Sequence, residues 1–165
     1  MIFLSVGTQE PFDRLVRAVD GWAATHGEPV FGQLGALAAD SYRPRHFPFE
    51  TFIPVDSYEK HVLGSRLLVA HAGMGSIISA LTHARPLLVL PRKAALGEHR
   101  NDHQWATARR FEGRAGIHVV WDEAEVGPAI DRLLAEGDRA ASSGLAPEAS
   151  PDLLAALAAF VHDRD

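Results

Sequence analysis

One stretch limits what this chain can fold into more than any other. Residues 66–110 read R-L-L-V-A-H-A-G-M-G-S-I-I-S-A-L, then P-L-L-V-L-P, then G-E-H-R-N-D-H-Q-W. The apolar run 67–70 has the length and composition of a buried strand. It stops at His71, and a turn with Gly73 and Gly75 follows. Ser76 opens a run in which Ile77, Ile78 and Leu81 suit a helix, and a second buried strand, 87–90, lies between Pro86 and Pro91. Strand, glycine turn, helix, strand is one βαβ unit of a parallel sheet. Such sheets bind ligands at the carboxyl ends of their strands, so 71–76 and 91–104 lie where a function is expected.

The rest of the chain extends the same pattern. Residues 2–6 form a short apolar strand with an exit loop at Gly7, Thr8 and Gln9. Pro11 suits the first turn of a helix, where its missing N–H costs nothing, and Phe12, Leu15, Val16 and Val19 recur at helical spacing. Further strands are expected at 30–34, at 46–53 (with Phe47, Phe49 and Phe52 as core) and at 117–121. Further helices are expected at 57–63, 102–111 and 123–134. Residues 136–151 are rich in Gly, Ser, Ala and Pro and read as a flexible linker. Residues 152–162 carry Leu153, Leu154, Leu157, Phe160 and Val161 along one helical face. The expectation is a single α/β, doubly wound parallel-sheet domain over residues 1–135, a linker over 136–151 and a C-terminal helix over 152–165, able to dock on a partner.

Composition excludes several function classes. The formal net charge of -5 offers no global basic field, so no nucleic-acid partner is expected. There is no cysteine, hence no disulfide framework or thiolate metal site. The N-terminal M-I-F-L-S-V-G has no basic region and too short an apolar run for a signal peptide or membrane span. A cytoplasmic location is expected, with any membrane attachment coming from a partner.

Two segments carry chemistry. In His71-Ala72-Gly73-Met74-Gly75-Ser76, glycines let the backbone come close to a ligand. A helix start supplies free N–H groups and partial positive charge, which together suit a diphosphate. An ordinary tight βα turn fits the glycine spacing equally well. The stretch is neither a dinucleotide fingerprint, since the third glycine position is Ile78, nor a P-loop. In Gly97-Glu98-His99-Arg100-Asn101-Asp102-His103-Gln104, carboxylates, imidazoles and amides would suit sugar hydroxyls, which need both donors and acceptors. The alternative is a solvated helix start capped by Asn101 or Asp102. A metal chelate of His99 and His103 is a minor possibility, because His99 would fall off the helix face. Gly7, Thr8 and Gln9, with Glu10, lie on the same sheet edge and could touch phosphate or the acceptor; a bare turn fits the sequence equally well.

Three motifs in order carry a family resemblance: V-G-T-Q-E-P-F-D-R-L, H-A-G-M-G-S-I-I-S-A-L and P-R-x₅-G-E-H-R-N-D-H-Q. Over residues 1–134 the chain resembles the C-terminal, donor-binding half of GT-B glycosyltransferases of the MurG type. Within that group it resembles the stand-alone members: the PssE-type subunits of exopolysaccharide synthesis, and the eukaryotic subunit that adds the second N-acetylglucosamine to dolichyl diphosphate. The resemblance implies a Rossmann-like half of a GT-B fold and a hexosyltransferase that takes a UDP-sugar without cofactor or metal. It also implies a lipid-diphosphate-linked saccharide acceptor and a membrane-anchored, acceptor-binding subunit at the cytosolic face.

Carried over by motif, Gly73, Met74, Gly75 and Ser76 would meet the nucleoside diphosphate, and His103 and Gln104 the sugar hydroxyls, flanked by Glu98, Asn101 and Asp102. One departure is Ser79, where MurG-like proteins commonly have a glutamate that grips the ribose. The general base is not evident; the candidates are His71, Glu98, a residue of the first loop, or the partner. The competing expectation is a nucleotide- or sugar-binding regulatory module without catalysis.

Overall fold

The structure is a computed structural model and describes residues 1–141. Six strands form one all-parallel sheet: β1 (Ile2–Ser5), β2 (Val30–Gln33), β3 (Phe49–Glu50), β4 (Leu67–His71), β5 (Leu87–Leu90) and β6 (Ile117–Val119). Their order in space is β3-β2-β1-β4-β5-β6. The chain first winds outward from β1 through β2 to β3, then returns to the other side of β1. That reversal between β1 and β4 makes a Rossmann-like, doubly wound sheet, and it leaves a crevice above the carboxyl ends of the two central strands.

Burial on both faces explains why the strands are unbroken apolar runs. Ile2, Leu4 and Val6, with Leu67, Val69, Leu88 and Leu90, face one layer of helices, α1 (Asp13–Ala23) and α5 (Val126–Glu136). Phe3, Leu68, Ala70, Leu87 and Val89 face the other, α2 (Val55–Gly64), α3 (Met74–Thr82) and α4 (His103–Phe111). In α1, Leu15, Val16, Val19 and Trp22 supply the buried stripe at 3.6-residue spacing.

Several element boundaries differ from the sequence expectation, each for a local reason. Pro11 lies before the α1 N-cap, Phe12, rather than in the first turn. The third strand shrinks to Phe49–Glu50, because Pro48 and Pro54 bracket the segment and cannot donate to a ladder. Of its aromatics, Phe47 is buried and Phe49 partly so, but Phe52 is 65% exposed and is not core. The helix after the glycine turn starts at Met74, two residues before Ser76. β6 stops at Val119; Asp122 and Glu125 then form a capping box that starts a 3-10 turn ahead of α5.

Glu136 closes α5, and Asp138–Ala141 form a short helix, α6, with Ala140 buried in the first core. Residues 136–141 are therefore part of the packed domain. The rest of the expected linker and the whole C-terminal helix at 152–165 lie outside the described residues. No helix among the described residues is long and apolar enough to cross a membrane.

Candidate functional site

A cavity of about 430 Å³ opens at the switch point of the sheet. Gly7, Thr8, Gln9 and Glu10 of the β1–α1 loop line one side, and His71, Gly73, Met74, Gly75 and Ser76 of the β4–α3 turn line the other. The size suits a nucleotide-sized ligand.

The turn is shaped around one side chain. A Cβ on Gly73 would stand 2.2 Å from His71 Nε2, and a Cβ on Gly7 would stand 3.0 Å from His71 Cε1. Gly7 also adopts φ +85, which strains any other residue. Both glycines thus make room for the imidazole, which closes the cavity floor. His71 Nδ1 is buried without a hydrogen-bond partner. Burial, then the charge of Arg92, push the His71 pKa down to about 4, against the opposing effect of the Ser5 backbone. At neutral pH the imidazole is uncharged.

Above it, α3 begins with Gly73 as N-cap and no side-chain cap. The Gly73 N–H is spent on the His71 carbonyl at 2.8 Å, and the Ile77 N–H returns to the Gly73 carbonyl at 3.2 Å. The N–H groups of Met74, Gly75 and Ser76 are the orphans of the first turn, and they carry the positive end of the helix dipole into the cavity wall.

Arg92 adds a full charge beneath the site. It follows β5, is 3% exposed, and its guanidinium donates to the carbonyls of Val6 at 2.8 Å, Glu10 at 2.7 Å, Glu98 at 3.1 Å and Pro11. The Phe12 ring lies 4.6 Å from its carbon centre. The charge is held by carbonyl dipoles and an aromatic face. Burial pushes its pKa below the ordinary value, with Glu10 and Glu98 opposing.

The polar block at 97–104 divides. Gln104 is 8% exposed, lines the cavity, and its Oε1 accepts from the Arg92 backbone N–H at 3.2 Å. Glu98, Asn101, Asp102 and His103 do not line the cavity. Both Glu98 carboxylate oxygens are engaged, by Arg14 at 2.7 and 2.9 Å and by the Lys93 N–H at 2.8 Å. That occupation makes Glu98 a loop anchor in this structure. Asn101 Oδ1 accepts from the His103 N–H, as a helix-start residue would. Asp102 instead accepts from the Ala94 N–H, and His103 points to solvent. Among the described residues no group of three or more His, Cys, Asp or Glu side chains is placed to hold a metal.

The cavity also takes Glu10 and His99 from the segments singled out above, and Ser5, Gln33, Tyr58 and Arg92, which the sequence does not single out. Gln33 and Ser5 end β2 and β1, so strand-end position alone points to them. Glu10, Arg92 and His99 fall inside the quoted motifs. Tyr58 arrives on α2 and has no local signal.

The family described as glycosyltransferase family 28 C-terminal domain matches residues 1–155. The chain belongs to this family. Over 81 residues it is 35% identical to the UDP-N-acetylglucosamine transferase subunit ALG13 of Eremothecium gossypii, a match spanning 49% of this chain and 35% of that protein. The NMR structure of ALG13 superposes with a TM-score of 0.61 at 16% identity, covering 98% of this chain and 96% of that one. MurG of Acinetobacter baumannii superposes at 0.59 and 16% identity, covering 98% and 49%. The calicheamicin glycosyltransferase CalG4 gives 0.63 at 19% identity, covering 82% and 34%. The structural likenesses establish a shared fold. This family 28 domain spans about a third of the Eremothecium protein and of CalG4.

Proposed function

We propose that this chain is the donor-binding subunit of a two-polypeptide glycosyltransferase. The donor is a UDP-sugar, and the acceptor is a lipid-diphosphate-linked saccharide presented by a membrane-anchored partner at the cytosolic face. Exopolysaccharide synthesis is the favoured setting. The observation that carries this reading is the convergence of the free α3 N–H groups, the buried Arg92 charge and the first loop on one cavity at the switch point.

A diphosphate seated there would meet amide donors and a positive field, with neutral His71 as a further polar contact. The same groups would stabilise charge as it builds on the departing UDP. Gln104, and not His103, is then the member of the polar block placed to reach a sugar hydroxyl. The similarity to a subunit named for UDP-N-acetylglucosamine supports the donor class.

Gly75→Asp is a clean test. A Cβ there meets nothing within 4 Å, so the variant should fold. Its carboxylate would occupy the anion site and repel a diphosphate. Calorimetry should show UDP binding by the native chain and a loss of ten-fold or more in the variant, about 1.4 kcal/mol. No binding by either, or equal binding by both, defeats the reading. If the native chain binds UDP but transfers no sugar when mixed with co-purified membrane-associated polypeptides, it is a binding module instead.

A further inference from the structure

Glu10 and His99 meet across the cavity although 89 residues separate them: His99 Nδ1 lies 3.0 Å from Glu10 Oε2. Their side chains are 29% and 37% exposed, so a substrate can reach them. An exposed ion pair is by itself cheap and common. This one is held in register from below.

The guanidinium of Arg92 donates to the backbone carbonyl of Glu10 and to that of Glu98, the neighbour of His99. Arg14 and the Lys93 N–H fix the Glu98 side chain in turn. One buried cation therefore ties together the two loops that carry the pair. Orientation of this kind is what proton transfer needs and what a chance surface pair lacks.

With Nδ1–H donated to Glu10, the imidazole presents the bare lone pair of Nε2. The carboxylate stabilises the imidazolium that forms when that lone pair takes a proton. His71 is unsuited to the task, being enclosed between two glycines and a poor base at its pKa of about 4.

We propose that His99, oriented by Glu10, accepts the proton of the acceptor hydroxyl during sugar transfer, an assignment that rests on the donor-site reading above. The acceptor oxygen forms a bond to the anomeric carbon. The bond from that carbon to the β-phosphate oxygen breaks, and its electron pair leaves with UDP. The hydroxyl proton moves to His99 Nε2, and Glu10 stays ionised. This puts the base on the same polypeptide as the donor site, with the partner contributing the acceptor.

Three measurements on the full chain test it. The ¹⁵N imidazole spectrum of the native protein should show His99 protonated on Nδ1 and bare on Nε2. His99→Gln should bind UDP within about two-fold of native. With the partner fraction and whichever member of a UDP-hexose panel the native mixture uses, kcat should fall about 100-fold or more at unchanged donor KM, with Glu10→Gln intermediate.

An Nε2-protonated tautomer in the native chain overturns the assignment. So does a native kcat in His99→Gln. UDP affinity that falls in step with kcat would make His99 a donor contact and nothing more. Failure of the native chain to bind UDP would instead defeat the donor-site reading, and the assignment would fall with it.

Discussion

Arg14 grips Glu98 with two N–H groups, Nε at 2.7 Å and Nη2 at 2.9 Å, across 84 residues of sequence. Side-chain exposures of 9% and 12% put this fork largely out of water. It fastens α1 to the segment between β5 and α4, with Glu123 as a second, more exposed partner of Arg14 at 3.0 Å. Paired charges that are largely buried cannot be halved without leaving the remaining one poorly solvated.

Glu98→Ala is therefore expected to cost stability rather than ligand contacts. The loss should be about 2 kcal/mol, less than for a fully buried pair because Glu123 still faces Arg14, and Tm should fall by roughly 6 °C. Thermal unfolding and UDP titration of the same variant check this. An unchanged Tm with lost UDP binding would return Glu98 to the site.

Gly73 and His71 should behave as one unit. The backbone at Gly73 has torsions of -91 and 140, which any residue adopts, so the contact alone forbids a side chain. An alanine Cβ 2.2 Å from Nε2 must push the imidazole, and Gly7 closes the opposite side. Gly73→Ala should cost about 2 kcal/mol as an overpacked site. In the double variant with His71→Ala the clash is gone, and the two losses should fall short of additivity by about 1 kcal/mol or more. Additive losses in a double-mutant cycle would mean that the ring has room to move.

Much of this architecture is legible in the residues themselves. Strands buried on both faces appear as unbroken apolar runs, as in 67–70 and 87–90, and their alternation with helices gives the parallel, doubly wound class, while the strand order that places the switch point comes from the structure. Of the residues the family motifs single out, Gly7, Thr8, Gln9, His71, the 73–76 turn and Gln104 line the cavity, whereas Glu98, Asn101, Asp102 and His103 do not. What escapes is whatever depends on contacts between distant segments. Glu98 is held by Arg14, far away in sequence, so a carboxylate among the catalytic candidates sits in an ion pair outside the cavity. Phe52 has the residue type of a core aromatic, but the strand that would bury it is cut short by flanking prolines. Tyr58 enters the cavity only because α2 packs beside β1, with its ring 5.2 Å from that of Phe3.

Acid should weaken the fold in two successive windows. An unfolded histidine titrates near 6.5, whereas His71 in the fold titrates at about 4. Between those values the unfolded chain binds a proton that the folded chain refuses. Stability is therefore complete above pH 6.5 and declines as pH drops toward 4, by up to roughly 3 kcal/mol.

Asp20 acts lower. Burial alone would raise its carboxyl, but the Tyr42 hydroxyl at 2.6 Å, the His46 N–H at 2.8 Å and the Arg45 N–H at 3.0 Å hold it below the ordinary value. Its contribution is present above about pH 4 and is lost as pH falls through that depressed value. Urea midpoints at pH 7.5, 5 and 3 separate the two groups. His71→Gln should flatten the decline between pH 7.5 and 5. Asp20→Asn should be destabilised at both of those pH values, and its deficit against native should narrow only as pH falls below the ordinary carboxylate range, toward pH 3. A decline between pH 7.5 and 5 that survives in His71→Gln would place the first titration on another group and leave the neutral imidazole at the cavity floor without support.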